Sequence, residues 1–280
     1  SGRDAYQKEF LLSNGQRMLA VYPTAIHYQE NGQGEEIDNT LRLTTQNGSA
    51  VYRNTAGIWN VTLPAQIDAQ QAVSVEQDGC RLSFCLVGKL RRTAGLSPQA
   101  AADATAGAAM QEALADLFAP AEGEQLMLQA TQTTAAAVTA VQAEPDGNAR
   151  QLRPAGMHAV AEYASIYENT DLKYDLTAEK LKESVIIRQR ENALLGYRYH
   201  LSAEGLTLSL QSDGSMLAFK NGEDAPVYCM PAPFLLDAAG AYCDEVQVRL
   251  LETAEGYDLY YLLPIDWMAD SSRSYPVVLD

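Results

Sequence analysis

The stretch LTLSLQSDGSMLAF, residues 206–219, decides the fold class of this chain. Leu206, Leu208 and Leu210 alternate with polar residues, and alternate residues of a β-strand lie on the same face. The Asp213-Gly214 pair that follows suits a tight turn, because both residue types accept positive φ angles. The stretch therefore predicts a β-hairpin with one apolar face.

Further turn dipeptides of the same kind punctuate the chain between short runs of alternating apolar and polar residues. They are Asn14-Gly15, Asn47-Gly48, Asp78-Gly79 and Asn221-Gly222. Many short strands separated by such turns are typical of antiparallel sheets packed face to face. The predicted fold class is all-β, with antiparallel β-sandwich-type lobes and an inserted Ala-rich α-helix.

The composition divides the chain into three regions. We predict an N-terminal β lobe over residues 1–92, an Ala-rich insertion over 93–155 and a C-terminal β-sandwich lobe over 156–280. Within the insertion, Ser97 and Pro98 are typical of a helix start, and Met110, Leu114, Leu117 and Phe118 recur at helical spacing. This helix is expected to dock on the parent domain, whereas residues 124–141 fit either a strand or a helix.

Charge and cysteine spacing exclude several classes of function. The chain of 280 residues carries a formal charge of −16, which opposes binding to nucleic acid or to an anionic membrane. Four cysteines, Cys80, Cys85, Cys229 and Cys243, show no C-x-x-C spacing, so we predict no metal and no cofactor. A pairing of Cys229 with Cys243 stays open. No apolar run approaches the ~20 residues of a membrane span.

Histidines and carboxylates show no catalytic constellation. His27, His158 and His200 lie far apart in sequence and outside any nucleophile motif. Asp171, Asp175, Glu179 and Glu183 form an acidic string, which abundant surface acid explains without chemistry. No catalytic residue is predicted.

Tyrosine is three times as common as phenylalanine, with 15 residues against 5. Tyrosine suits half-exposed sheet faces, protein interfaces or sugar-stacking platforms, because its ring can be buried while its hydroxyl stays in water. We predict a ligand-binding aromatic platform, although ordinary sandwich packing also explains these residues. The platform residues are Tyr257, Tyr260, Tyr261 and Trp267.

Several phrases of the sequence resemble one protein family. They are AVYPTAIHY (20–28) followed by IDNTL (37–41), IYENTDLKY (166–174), MPAP (230–233) with Asp237, and Trp267 with YPVVLD (275–280). In this order they resemble the N-terminal module of very large bacterial cell-surface proteins, the wall-associated, RHS or YD-repeat proteins. Residues 169–171 depart from that pattern, since family members usually have Gly-Val before the Asp-Leu. The resemblance implies an extracellular, cell-surface or cell-wall location and supplies no catalytic residues.

The sequence thus predicts a non-enzymatic structural or adhesive module of a large secreted bacterial protein, displaying or anchoring downstream repeats. A carbohydrate-binding module is the alternative, and a glycoside-active enzyme is a third reading. The expected partners are downstream segments of its own chain or cell-wall and glycan components, with no nucleic acid and no membrane insertion. A signal peptide is expected to be absent from residues 1–280, because Ser1-Gly2 is typical of a cloning remnant.

Overall fold

The computed structural model describes residues 4–11, 13–94, 114, 124–140 and 156–280, and these residues are mostly antiparallel strand. The all-β prediction is confirmed. The first twelve strands are β1 (Gln7–Leu11), β2 (Arg17–Val21), β3 (His27–Glu30), β4 (Gln33–Glu36), β5 (Asp38–Gln46), β6 (Ser49–Ala56), β7 (Asn60–Pro64), β8 (Gln66–Ile67), β9 (Val73–Gln77), β10 (Cys80–Ala94), β11 (Glu124–Ala130) and β12 (Thr134–Ala140).

The remaining elements follow residue 156. They are β13 (Ala159–Tyr167), β14 (Thr170–Leu176), β15 (Leu181–Ile187), β16 (Leu194–Glu204), β17 (Leu206–Leu210), β18 (Met216–Lys220), β19 (Pro226–Met230), β20 (Leu235–Asp237), β21 (Tyr242–Cys243), β22 (Gln247–Thr253), β23 (Gly256–Leu262), helix α1 (Ile265–Ala269) and β24 (Val277–Leu279).

Two large sheets form the body. The first has the order β22-β23-β16-β10-β9-β7-β6-β5, and β11 pairs with the far end of β10. The second has the order β21-β20-β24-β15-β14-β13-β12-β8. Strands β17, β18 and β19 form a small third sheet, and β1-β2 and β3-β4 are separate hairpins.

Two of the five predicted turn dipeptides close hairpins for the expected reason, whereas Asn14, Asp213 and Asn221 lack the positive φ that was expected of them. Asn47-Gly48 and Asp78-Gly79 have φ angles of 51° and 82°, and of 52° and 77°, and each joins strands paired directly on either side of it. Positive φ at both central residues defines the type I′ turn, whose twist matches that of paired strands. A further turn of this kind, Asn31-Gly32, joins β3 to β4 and was not predicted although its sequence signal is the same.

Strands from both predicted lobes share one sheet. Strand β10 from the first lobe pairs along its length with β16 from the second, and both strands of residues 124–140 join a large sheet. The ambiguous stretch 124–141 is thus strand over its described part. The boundaries at 92/93 and 155/156 stay a prediction about folding units.

The main core lies between the inner faces of the two large sheets. Leu82, Leu86 and Leu259 of the first sheet and Leu172 and Val185 of the second belong to one buried cluster. Their alternation with outward residues follows from the two-residue period of a strand.

Five tyrosines are among the largest fully buried side chains of the described residues, namely Tyr163, Tyr167, Tyr174, Tyr197 and Tyr260. Tyr163 donates its hydroxyl to the Pro64 carbonyl at 2.6 Å, and Tyr167 shares a 2.7 Å hydrogen bond with Thr131. A buried hydroxyl needs such a partner to offset the loss of water. Much of the tyrosine excess therefore serves the core.

The inserted helix predicted around residues 97–118 lies outside the described residues except for Leu114. That residue is helical, is 1% exposed and packs with Leu90, Tyr260 and Leu262 on the outer face of the first sheet. The four cysteines are free, with Cys229 exposed and Cys243 buried, so the pairing left open does not form. Among the described residues no helix is long and apolar enough to cross a membrane.

Candidate functional site

The structure places the four predicted platform residues on two different faces. Tyr257 and Tyr261 lie against the main core, whereas Tyr260 is 1% exposed in the smaller outer cluster. Adjacent residues of strand β23 must point to opposite faces of the sheet. The four side chains do not form one shared surface, and ligand binding by them stays a prediction.

Trp267 lines an open cleft of about 820 Å³ at the end of β22 and β23. Arg92, Asp244 and Glu245 line the same cleft, together with Asp266 of helix α1. The apolar part of the lining comes from Val246, Leu262, Leu263, Pro264 and Ile265. Concave sites of this size with a mixed lining are where small ligands usually bind.

A buried ion pair supports the tryptophan. The Arg273 guanidinium lies 4.3 Å from the centre of the Trp267 ring and 3.3 Å from the Asp237 carboxylate. Asp237 also accepts hydrogen bonds from the backbone N–H groups of Ala239, Ala241 and Ser274. These donors, first among them Ser274, hold the pKa of the Asp237 carboxyl below its usual value, so the pair stays charged.

A second polar cluster lies on the outer face of the first sheet. Cys85, His200 and Asp258 stand opposite one another on β10, β16 and β23. His200 Nδ1 lies 3.2 Å from Asp258 Oδ1, and Arg198 donates to Asp258 Oδ2 at 2.8 Å. A carboxylate that holds one imidazole nitrogen fixes the tautomer and leaves the other nitrogen for proton transfer.

Cys85 is not an activated nucleophile in this arrangement. Its thiol donates to the Ala69 carbonyl at 3.6 Å, and burial raises the pKa of the Cys85 thiol to about 11. Reactive cysteines have a lowered pKa and partial exposure. The chemistry of this cluster therefore rests on His200, Asp258 and Arg198.

Residues of the acidic string predicted from the sequence lie on opposite faces of the second sheet. Asp171 pairs with Arg188 at 2.6 Å, and Asp175 with Lys173 at 2.9 Å and with His158 at 3.0 Å, on the outer face of the second sheet. Glu183 points the other way, into the space between the sheets. In the part of the chain that the structure describes, no group of three or more His, Cys, Asp or Glu could hold a metal.

Glu183 connects the two sheets through hydrogen bonds. Its carboxylate accepts the hydroxyls of Tyr174 from the second sheet and Tyr199 from the first. Burial raises the pKa of the Glu183 carboxyl, and the two tyrosine hydrogen bonds lower it only in part. Sequence alone marked Glu183 only as one acid of a string, because its partners lie on other strands.

This raised pKa predicts a pH effect on stability. Protonation of Glu183 favours the folded state, so its stabilising contribution is full below the unfolded pKa and is lost as pH rises through the folded pKa. We expect Glu183→Gln to gain melting temperature relative to the parent as pH rises from 5 to 8, measured by calorimetry at matched ionic strength. A constant difference between the two proteins across that range would contradict the assignment.

A buried lysine, Lys89, makes the second polar connection between the sheets. Lys89 is 1% exposed, and its Nζ lies 2.6 Å from Glu191 Oε1, 3.2 Å from the Glu168 carbonyl and 3.3 Å from Thr170 Oγ1. The ammonium also lies 5.6 Å from the centre of the Tyr167 ring. Burial lowers the pKa of the Lys89 ammonium in spite of the Glu191 carboxylate. Four contacts that satisfy one buried cation indicate a structural role.

Comparison with curated proteins finds similarity to bacterial tRNA nucleases. The chain is 29% identical over 125 residues to tRNA nuclease WapA of Bacillus subtilis strain 168, and 28% identical over 128 residues to tRNA3(Ser)-specific nuclease WapA of Bacillus spizizenii. Each match covers 42% of this chain and 5% of the relative. No protein-family model matches the chain, and no solved structure matches it significantly.

These relatives correct three predictions from the sequence. The predicted kinship was with structural modules of wall-associated, RHS or YD-repeat proteins, whereas the matched proteins are named for tRNA nuclease activity. The name WapA is compatible with wall association. The prediction of a non-enzymatic structural or adhesive module, and of no enzyme at all, is wrong because the relatives are enzymes that act on tRNA. The chain is similar to a small part of large tRNA nucleases.

Proposed function

We propose that this chain is one folded segment of a much larger protein that cleaves tRNA. The observation that carries the proposal is the similarity to three curated tRNA nucleases, each matched over 5% of its length. The finer proposal concerns location: the phrases that resemble wall-associated proteins, together with the compatible name WapA of the relatives, support a place for this chain at the bacterial cell wall.

The charge of the segment indicates which role it has in tRNA cleavage by the larger protein. A formal charge of −16 repels the tRNA backbone, so we assign the main RNA-binding surface to the rest of the protein. The two packed sheets, connected by the buried polar groups Glu183 and Lys89, provide a stable acidic domain for that larger nuclease.

Incubation of 5′-labelled tRNA with the complete gene product and with residues 1–280 alone tests this proposal. We expect the complete protein to cleave tRNA and the segment alone to bind none at physiological salt. Intact tRNA after incubation with the folded complete protein, with divalent metal present, would overturn the assignment to the nucleases.

A second candidate places nuclease chemistry within the segment itself. His200, held by Asp258 and next to Arg198, has the parts of an acid–base group beside a cation for a phosphate. If residues 1–280 cleave tRNA and His200→Ala abolishes cleavage, this candidate replaces the first. His158→Ala is the matched control, because His158 is similarly exposed and also bonded to an aspartate.

A further inference from the structure

We propose that the free edge of strand β5 binds an extended peptide segment in which acidic and apolar residues alternate. The segment joins the first sheet as an added strand beside residues 41–46. This site does not depend on tRNA cleavage and is not assigned by similarity to the nucleases.

The backbone of β5 is open to pairing on one side. Within the described residues, β5 is the last strand of the first sheet and pairs only with β6. At such an edge every second residue presents an unpaired N–H and C=O to its surroundings. Residues 41–46 pair with β6 without a register shift and contain neither proline nor lysine, the features that usually protect an edge. This edge can therefore accept another strand.

Two arginines select the charge of the added strand. Arg42 of β5 and Arg53 of β6 are both exposed and stand directly opposite one another, a position in which like charges destabilise a sheet. Arg42 donates to the Thr55 hydroxyl at 3.0 Å, and in the part of the chain that the structure describes neither guanidinium has a carboxylate partner. A carboxylate on the added strand would lie beside Arg42 and supply a charge-assisted hydrogen bond.

The sequence around these arginines lacks acid although the chain as a whole is acidic. No Asp or Glu occurs between Asp38 and Asp68, a stretch that includes β6 and β7, whereas 36 of the 280 residues are acidic. Carboxylates farther away are screened over about 8 Å at physiological ionic strength. An acidic segment is therefore attracted to this edge in spite of the net charge of the protein.

The opposite face of the same edge selects an apolar residue. Leu43 is 61% exposed and stands opposite Tyr52, which stands in turn opposite the fully buried Leu63. An apolar side chain beside Leu43 would continue this row and remove its apolar surface from water. Because successive residues of a strand point to opposite faces, the residue beside Leu43 is flanked by residues on the arginine side. The edge thus fits the order acidic, apolar, acidic.

The other ends of the two large sheets do not offer this combination. Strand β22, at the opposite end of the first sheet, contains Glu252 and follows Asp244 and Glu245, which would repel an acidic segment. The second sheet ends in β8 and β21, which have two residues each. Among these ends, β5 is the one with a long strand, exposed arginine and exposed leucine together.

A pair of peptides tests the proposal on residues 1–280. The probe is a fluorescein-labelled peptide of sequence TEVEVET with blocked ends, and fluorescence polarisation measures its binding. We expect saturable binding. The peptide TEEVVET has the same composition and charge without the alternation, and it should bind at least about fivefold more weakly.

Matched variants then locate the binding edge. Arg42→Gln combined with Arg53→Gln should weaken TEVEVET binding at least about tenfold, which corresponds to ~1.4 kcal/mol. Arg17→Gln combined with Lys180→Gln removes two exposed positive charges elsewhere and should bind as the parent does.

A second pair of variants tests the apolar contact. Leu43→Ser should weaken binding about threefold or more, because the apolar surface beside the added strand is lost. Leu11→Ser, at a leucine that is 75% exposed on strand β1, is its control and should leave the affinity unchanged.

Three results would overturn the proposal. One is no saturable binding at millimolar TEVEVET by protein shown to be folded. Another is equal affinity for TEVEVET and TEEVVET, or equal losses in the edge variants and their controls. The third is tighter binding of a 5′-labelled oligoadenylate than of TEVEVET, lost in the Arg42 and Arg53 variant, which would make the arginine pair a phosphate site.

Discussion

Replacement of Lys89 by alanine is expected to reduce the free energy of unfolding by about 3–5 kcal/mol. The change removes the partner of Glu191, whose side chain is only 10% exposed, and leaves that largely buried carboxylate uncompensated. It also deprives the Glu168 carbonyl and the Thr170 hydroxyl of a donor. Urea unfolding followed by circular dichroism measures the loss.

Two further variants separate the effect of the broken ion pair on stability from the effect of lost packing. Lys89→Met combined with Glu191→Leu removes both charges, and we expect it to cost much less than Lys89→Ala, because apolar replacements of buried pairs are often neutral. Arg17→Ala breaks an exposed pair with Glu9, in which the side chains are 75% and 52% exposed. That control should cost no more than about 1 kcal/mol. A loss for Lys89→Ala as small as the control would show that Lys89 is not the tie between the sheets.

Gly196→Ala is expected to cost about 3 kcal/mol or more. A Cβ atom at Gly196 would lie 2.0 Å from the Tyr261 carbonyl oxygen and 3.2 Å from Leu262 Cα. Both are backbone atoms of β23, which pairs with β16 at this position, so no side-chain rotation can relieve the clash. The strands must separate locally, and the effect is measured as a lower midpoint of urea unfolding.

Gly222→Ala is the matched control for this change. Gly222 has a φ of 88° in a surface turn, and a Cβ there would meet nothing within 4 Å. Its replacement therefore reports backbone strain without a clash, at about 1 kcal/mol. Equal losses for the two variants would contradict the close approach of β23 to Gly196.

Local features of the sequence predicted the strands and several turns correctly. Residues 206–219 form the predicted β17-β18 hairpin, and Asn47-Gly48 and Asp78-Gly79 form two-residue turns. These features depend on residues close in sequence: alternation selects a strand, and Asn or Asp before Gly accepts positive φ.

Residue type alone did not reveal the buried polar groups. Lys89 lies in the run Leu86-Val87-Gly88-Lys89-Leu90, and a lysine within an apolar strand was the one available signal for it. Its partner Glu191 is 102 residues away. The relatives' tRNA nuclease activity was not predicted either, because no nuclease motif stands out in these residues.

The sequence by itself determined that the chain forms antiparallel strands, where several hairpins turn and that the surface is strongly acidic. Only the tertiary structure decided that β10 pairs with β16, that Glu183 and Lys89 lie between the sheets, and that Tyr260 faces away from Tyr261 and the main core. The physical reason is that strand alternation leaves the choice of partner open. Partners are selected by the total packing of both sheets, to which residues far apart in sequence contribute together.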